Sequence, residues 1–196
     1  MRKIKPRVAI SLDGFIADTR GGVDWLHRFH AKGPREDYGM TEFFRSIDTV
    51  LMGRHTHDFA LSHGVKDYPG MENFVFTRTK PPGKRDGVEY ISGDPAELIA
   101  ALRQKPGKDI WLCGGGDLAR QLLERKLVDE IALAVIPILL GDGIPLFQKR
   151  YPETDLQLID CKVCKSGLVG LVYAMGDGAP RSESRETPTK KRRKYR

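Results

Sequence analysis

The sequence predicts an α/β fold: one three-layer domain in which helices flank a mixed, mostly parallel sheet that ends in an antiparallel hairpin. Short apolar runs with strand character alternate with helix-like segments along most of the chain. Helices between consecutive strands indicate parallel pairing, because a parallel connection needs a crossover. Two alternating stretches then close the chain around a turn at 165–167, which is typical of an antiparallel hairpin.

The strands are predicted where apolar and β-branched residues cluster between turn-forming residues. They cover residues 8–11, 49–52, 74–76, 109–112, 131–138, 156–163 and 168–173.

The helices are predicted from start and stop signals and from apolar spacing. Asp94 and Pro95 form a strong helix start, with a capping side chain followed by proline at the first helical position. Leu118, Leu122 and Leu123 share the inward face of a later helix. Helical segments are therefore expected from 24, over 41–46, after Gly53, from 95 to about 105, and over 117–125.

Length and composition indicate one intracellular domain. The chain has 196 residues, enough for one sizeable core, and its longest apolar runs fall short of the ~20 residues that cross a bilayer. No apolar stretch of signal-peptide type follows the first six residues. The three cysteines fit a reducing compartment. We therefore expect a cytoplasmic protein.

Cys161 and Cys164 form a C-x-x-C pair, but on a strand they point to opposite faces, and no second metal-binding pair is present. We expect no metal site and buried or half-buried thiols.

The net charge of +7 is concentrated at the C-terminus. From Gly178 onward there are eight basic and two acidic residues, so this stretch contributes +6 and the rest of the chain +1. We therefore predict a domain at 1–176 and a basic, disordered tail at 177–196. A solvated tail and an arm that contacts RNA, a membrane or a partner are both open interpretations.

Two junctions between a strand and a helix carry the features of a phosphate site. In residues 49–56, TVLMGRHT, an apolar run meets a glycine where a helix begins, and a helix N-terminus attracts phosphate. Arg54 adds a guanidinium that can bind phosphate oxygens. In residues 110–119, IWLCGGGDLA, three glycines precede a helix; such a run suits close approach to a ligand or to a neighbouring strand.

These motifs resemble those of the dihydrofolate reductase superfamily. The segment 50–56, VLMGRHT, is similar to its Gly-Arg-x-Thr junction, and the triple glycine resembles its later cofactor turn. The segments 9–17, AISLDGFIA, and 136–147, IPILLGDGIPLF, look more like one branch, the reductase domain of bifunctional riboflavin-biosynthesis deaminase-reductases and its stand-alone relatives. The resemblance runs from about residue 4 to 175.

The resemblance implies NADPH as cofactor. Residues at matching positions would bind its phosphates, its adenosine 2′-phosphate and its nicotinamide ring. They are Gly53, Arg54, His55 and Thr56 at the first junction, Thr77 and Arg78 after the third strand, Gly114, Gly115, Gly116, Asp117 and Leu118 at the second junction, and Ala9, Ile16 and Ala17 beside the ring.

The resemblance places the catalytic acid less directly. Counting back from Gly53 without gaps puts Asp37 at the position of the family's carboxylate, whereas aligning the aromatic pair at 43–44 puts Met40 there. Asp13 has two interpretations, a polar contact near the nicotinamide or a turn-forming residue before Gly14.

The sequence thus predicts an NADPH-dependent oxidoreductase acting on a small heterocycle or ribosyl-heterocycle. The nearest formal activity is that of 5-amino-6-(5-phosphoribosylamino)uracil reductase. Dihydrofolate reductase and a non-catalytic nucleotide-binding protein whose tail recruits a partner are the alternatives. The resemblance also implies a homodimer that buries residues 136–147, with the small molecule as the other partner.

Overall fold

In a computed structural model, the chain is described over residues 1–32, 36–147 and 153–176. The strands are β1 (Ile4–Ser11), β2 (Phe15–Ala17), β3 (Ile47–Gly53), β4 (Glu72–Phe76), β5 (Gly83–Arg85), β6 (Val88–Ile91), β7 (Asp109–Leu112), β8 (Glu130–Ile136), β9 (Ile144–Pro145), β10 (Leu156–Val163) and β11 (Val169–Met175). The helices are α1 (Asp24–Lys32), α2 (Met40–Ser46), α3 (Arg54–Ser62), α4 (Pro95–Gln104) and α5 (Gly116–Glu124).

Nine strands form one sheet in the order β10-β11-β8-β1-β7-β3-β4-β6-β5. The central pairs from β8 to β6 are parallel. The pairs β8–β11, β10–β11 and β5–β6 are antiparallel. This arrangement confirms the predicted mixed, mostly parallel sheet with a C-terminal antiparallel hairpin.

Helices cover both faces of the sheet, so the domain has three layers. Ile99 of α4 and Leu122 of α5 are fully buried in one cluster with Leu51 and Ile110 of the sheet. Phe43 of α2 belongs to a second cluster on the opposite face. A third cluster holds Trp25 of α1. The apolar faces expected on the later helices are therefore buried.

The predicted start of α4 is confirmed in detail. Asp94 accepts a hydrogen bond from the backbone N–H of Ala96 at 3.0 Å, and Pro95 occupies the first helical turn. The side chain thus satisfies one of the N–H groups that a helix leaves unpaired.

A hairpin at 83–91 was not predicted from the sequence. Asp86 and Gly87 join β5 to β6 with positive φ angles of 52° and 83°. Such a two-residue Asp-Gly loop is a strong hairpin signal. It was overlooked because β5 is three residues long and fully exposed.

The two faces of the sheet at its hairpin edge differ, and one of them is apolar across all three strands. Register places Leu158, Tyr173 and Ile131 in one row across β10, β11 and β8. The parallel rows on this face are Cys161–Leu171–Leu133 and Val163–Val169–Val135. Leu158 and Val163 are 52% and 74% exposed. We call these three rows the apolar hairpin face.

The cysteine prediction is right in part. Cys113 and Cys164 are buried, but Cys161 is exposed, because it lies on the uncovered apolar hairpin face.

Within the described residues, no three His, Cys, Asp or Glu side chains are grouped to hold a metal ion. In the same residues, no helix is long and apolar enough to span a membrane. The predicted tail at 177–196 lies outside the described residues.

Candidate functional site

A cleft of about 500 Å³ opens at the carboxyl ends of the parallel strands β3, β4 and β6. Ligands of open α/β sheets bind at this edge. Nine of the predicted cofactor residues line it, namely Gly53, Arg54, His55, Thr56, Thr77, Arg78, Gly115, Asp117 and Leu118. The fold therefore brings the two strand-to-helix junctions, which are far apart in the sequence, to the same cleft.

Two helix N-termini open onto this cleft without a side-chain cap. Gly53 precedes α3 and Gly115 precedes α5, and neither glycine provides a capping side chain. No side chain at the capping position therefore covers the N-terminal end of either helix. Together with the helix dipoles, the N–H groups at these ends favour an anion between α3 and α5.

The glycine turn packs directly on α3. Gly114 and Gly115 have φ angles of 62° and 79°, which favour glycine. A Cβ at Gly114 would lie 3.1 Å from the Thr56 methyl carbon, and one at Gly115 would lie 3.2 Å from the Thr56 hydroxyl oxygen. Gly116 follows as the first, buried residue of α5. The turn therefore needs glycine both for its backbone and for its contact with Thr56.

The positively charged side chains at the cleft differ in whether they form ion pairs with a carboxylate. Arg54 donates to Asp58 at 2.8 Å, and the Lys80 ammonium lies 3.0 Å from the same carboxylate. Burial opposes ionisation of Asp58, but Lys80 and Arg54 hold its pKa below the usual value. Arg78 is exposed and has no ion-pair partner among the described residues. Its charge therefore remains available to an anionic ligand.

The hydroxyl of Thr77 is already engaged in local structure. It accepts hydrogen bonds from the backbone N–H groups of Thr79 and Lys80, each at 3.2 Å. Thr77 thereby fixes the turn after β4 that carries Arg78 to the cleft. Its predicted contact with the cofactor stays a prediction.

Asp117 and Leu118 occupy the first turn of α5. The Asp117 carboxylate pairs with Arg120 at 2.9 Å and accepts a hydrogen bond from Gln121 at 3.1 Å. Leu118 is buried against the core. Asp117 is thus neutralised by Arg120, which reduces its repulsion of an anion at the same helix end.

Ala9, Ile16 and Ala17 do not line the cleft. Ala9 packs against the third cluster near the carboxyl end of β1. Ala17 is buried in β2, where it pairs with Ile144. Their predicted position beside the nicotinamide stays a prediction.

Asp13 joins two loops. Its carboxylate accepts from the Ser11 hydroxyl at 2.6 Å, from Gly141 N–H at 2.8 Å and from Leu140 N–H at 3.1 Å. The Ser11 hydroxyl contributes most to lowering the pKa of Asp13, and the two N–H groups add to it. These bonds give Asp13 a structural role between residues 11–14 and 140–141, and its catalytic role stays a prediction.

Asp37 caps the start of α2. Its carboxylate accepts from the Thr41 hydroxyl at 2.8 Å and from the Thr41 N–H at 3.1 Å. The Thr41 hydroxyl lowers the pKa of Asp37 most, and the charges of Lys162 and Arg7 lower it further. Asp37 is exposed and does not line the cleft. The residue predicted to be the catalytic acid therefore lies on the α2 side of the sheet.

Comparison with known proteins decides the family. The model of the RibD C-terminal domain matches residues 2–170. The chain belongs to the RibD C-terminal domain family. Protein YwjB of Bacillus subtilis (strain 168) is 35% identical over 158 residues, covering 80% of this chain and 89% of YwjB. Protein YyaP of the same organism is 33% identical over 190 residues, covering 88% of this chain and 94% of YyaP.

A solved structure agrees with this membership. The crystal structure described as "Putative riboflavin biosynthesis protein" from Shewanella sp. PV-4 has a TM-score of 0.77 and 33% identity, covering 90% of this chain and 99% of that chain. The resemblance to riboflavin-biosynthesis reductases that the motifs at 9–17 and 136–147 indicated is therefore confirmed.

A phosphate-bearing dinucleotide fits the cleft of this RibD-family chain. The uncapped N-termini of α3 and α5 supply N–H donors, Arg78 supplies an uncommitted charge, and Gly115 keeps side-chain atoms out of the turn. Sequence reasoning missed the side of the cleft formed by Ser92, Gly93, Asp94, Gln121 and Arg125. Asp94 was recognised there only as a helix cap.

Proposed function

We propose that the protein is an NADPH-dependent reductase that transfers hydride to a small heterocycle or ribosyl-heterocycle, acting as a cytoplasmic homodimer. The activity that family membership favours is reduction of 5-amino-6-(5-phosphoribosylamino)uracil. The observation that carries the proposal is the meeting of two uncapped helix N-termini and the unpaired Arg78 in one cleft.

The charges of the cleft support NADPH over NADH. The 2′-phosphate of NADPH adds close to two negative charges that NADH lacks. Arg78 has no carboxylate partner among the described residues, whereas Arg54 shares Asp58 with Lys80. Binding the extra phosphate at Arg78 therefore requires no ion pair to be broken. Residues 53–56 and 114–118 would hold the pyrophosphate part.

NADPH supplies a hydride at its nicotinamide ring when bound. The part of the chain is then to bind and orient the two reactants, which can lower a barrier substantially without a protein nucleophile. Asp13 and Asp37 both have lowered pKa values, so each is ionised at neutral pH. A carboxylate in that state accepts hydrogen bonds, and for Asp37 we propose that it orients the water molecule from which the reduced substrate takes its proton.

The test is a stopped-flow measurement of NADPH oxidation with the full chain. The substrates are 5-amino-6-(5-phosphoribosylamino)uracil, dihydrofolate, and a panel of other pterins and aminopyrimidines. We expect NADPH to bind more tightly than NADH and to be oxidised by at least one member of the panel. Tight binding without oxidation by any member would favour the nucleotide-binding alternative, and absence of NADPH binding would refute the proposal.

A further inference from the structure

A second cavity, of about 330 Å³, lies on the α2 face of the sheet. Its floor is formed by β1, β8 and β11, where residues 132, 134 and 170 are alanine or glycine and leave open space above the strands. Phe43 of α2 and Cys164 after β10 contribute to its sides. This cavity shares no lining residue with the cofactor cleft.

Arg7 points its guanidinium into this cavity from the middle of β1. The guanidinium donates to the backbone carbonyl of Tyr38 at 2.5 Å and stacks over the ring of Phe43 at 4.8 Å. These two contacts fix the orientation of the side chain. A guanidinium has five N–H donors, so donors remain for a ligand.

The charge of Arg7 lacks a direct partner. Among the described residues, no carboxylate lies within ion-pair distance of it. Burial lowers the pKa of Arg7, and the nearby charge of Asp37 offsets this only in part. Half-buried arginines are normally paired with a carboxylate. Arg7 is therefore a partly desolvated cation that the acids of the described residues neutralise only in part.

The other charged side chains around the cavity either form ion pairs or are exposed to water. Lys5 pairs with Asp109 at 2.7 Å and with Glu130 at 3.1 Å. The remaining charged groups at the rim are all exposed; they are Asp37, Glu42, Asp160 and Lys162. Water screens these exposed groups, so Arg7 is the charge that dominates inside the cavity.

We propose that this cavity binds the oxyanion group of a small molecule, a phosphate or a carboxylate, with the Arg7 guanidinium as the anchor. A planar guanidinium fixed on an aromatic ring presents parallel N–H donors that match two oxygens of such a group. The inference rests on the proposed function for its role. Arg7 and Ala9 share one face of β1, about 7 Å apart, so the anion would be held one side-chain position from the predicted nicotinamide neighbour.

The experiment measures thermal stability without NADPH, so that it is independent of the proposed function. The full chain is melted in sodium phosphate, in sodium malonate and in sodium chloride of equal ionic strength. We expect phosphate, malonate or both to raise the Tm above that in chloride, because a ligand of the folded state stabilises it. A response to phosphate alone identifies a phosphate site, and a response to malonate identifies a site that accepts carboxylates.

Three variants locate the response. The cofactor cleft also favours anions, so the comparison is made in the Arg78→Ala chain, which lacks the unpaired cation of that cleft. This chain should keep a shift, and adding Arg7→Gln to it should remove most of the shift that remains. Ala132 is the register partner of Arg7 on β8. Ala132→Glu in the same chain should therefore pair with Arg7, raise the Tm in chloride and likewise remove most of the response to added anion.

The proposal is overturned if the parent chain melts at the same temperature in all three salts, or if the Arg78→Ala chain with Arg7→Gln or Ala132→Glu added responds like Arg78→Ala alone. NADPH affinity is measured on the same variants by calorimetry. Loss of the anion response with normal NADPH binding leaves the reductase proposal standing. If the parent chain responds to added anion but does not bind NADPH, the anion-site proposal stands and the reductase proposal fails.

Discussion

Thr56 and Gly115 bring the N-terminal ends of α3 and α5 into contact. A Cβ at Gly115 would approach the Thr56 hydroxyl oxygen to 3.2 Å and the Gly53 backbone nitrogen to 3.9 Å. The first turns of α3 and α5 therefore lie so close together at position 115 that a side chain there would contact Thr56. Any side chain at 115 must displace Thr56 before it reaches a ligand.

Gly115→Val should abolish NADPH binding. The variant adds a β-branched side chain at a φ of 79°, next to Thr56, and a left-handed conformation costs about 1–2 kcal/mol. Gly64→Val is the control, since Gly64 has a φ of 80° and nothing within 4 Å of its Cβ position. Calorimetry and circular dichroism should show both variants folded and only the control binding NADPH. Normal binding by Gly115→Val would show that the turn has no part in the cofactor site.

Replacing Arg78 or Arg54 by alanine should weaken NADPH binding by about 1.5–3 kcal/mol, the range for a hydrogen bond to a charged group. The larger loss is expected for Arg78, because Arg54 already pairs with Asp58. NADH binding should change little, and the exposed Arg28→Ala on α1 should bind both cofactors normally. Equal affinity of the parent chain for NADPH and NADH, measured by calorimetry, would remove the basis for this assignment.

The protein should form a homodimer that covers exposed apolar surface. Within the predicted segment 136–147, Leu139 and Phe147 are exposed while Ile136 is buried, and Leu158 and Val163 of the apolar hairpin face are exposed as well. Leu158→Glu should therefore dissociate the dimer. Gln157→Glu, with the same new charge on the opposite face of β10, should not. Light scattering should give about twice the 22.0 kDa chain mass for the parent, and a monomer at tens of micromolar would contradict the expectation.

Protonation of Asp13 should make the folded protein less stable at acidic pH. Its pKa is lower in the folded chain than in the unfolded one, so its stabilising contribution is present above the unfolded pKa and is lost as the pH falls through the folded pKa. Asp13→Asn should therefore lower the Tm at neutral pH, and the difference from the parent should shrink in acid. Glu89→Gln, an exposed change on β6, serves as the control. A Tm difference that stays constant with pH would show that ionisation of Asp13 does not matter.

Removal of residues 177–196 should leave the Tm and the NADPH affinity unchanged. The prediction follows from the composition of the segment, which has too few apolar side chains to form a core. Scanning calorimetry of the chain ending at Gly176, beside the full chain, is the measurement. A drop of many degrees would mean that the segment packs on the domain.

Local signals explain what could be predicted from the sequence. The strand bounds 109–112 and 156–163 match β7 and β10 as observed, and both phosphate-site junctions are continuous stretches of fewer than twelve residues. Their chemistry is therefore visible without knowledge of the fold. The same holds for Asp94, whose capping bond is to a residue two positions away.

The rest depends on contacts between distant segments. The Arg7 cavity has walls from β1, α2, β8 and β11, and no stretch of sequence shows that Arg7 lacks an acidic partner. Both sequence interpretations of Asp13, a contact near the nicotinamide and a turn residue, likewise left out its bonds to residues 140 and 141, because these bonds span more than a hundred positions. Such groups become recognisable only when the sheet order is known.

The central position of β1 has a consequence for biosynthesis. β1 precedes the other strands of this sheet in the chain, but its neighbours are β7, where Ile4 pairs with Ile110, and β8, where Arg7 pairs with Ala132. The nascent chain must therefore keep an apolar strand unpaired until well over half of the protein has been made. Non-local pairing of this kind slows folding and prolongs exposure to aggregation. Chaperone demand during translation should accordingly fall only once residue 136, the end of β8, has emerged.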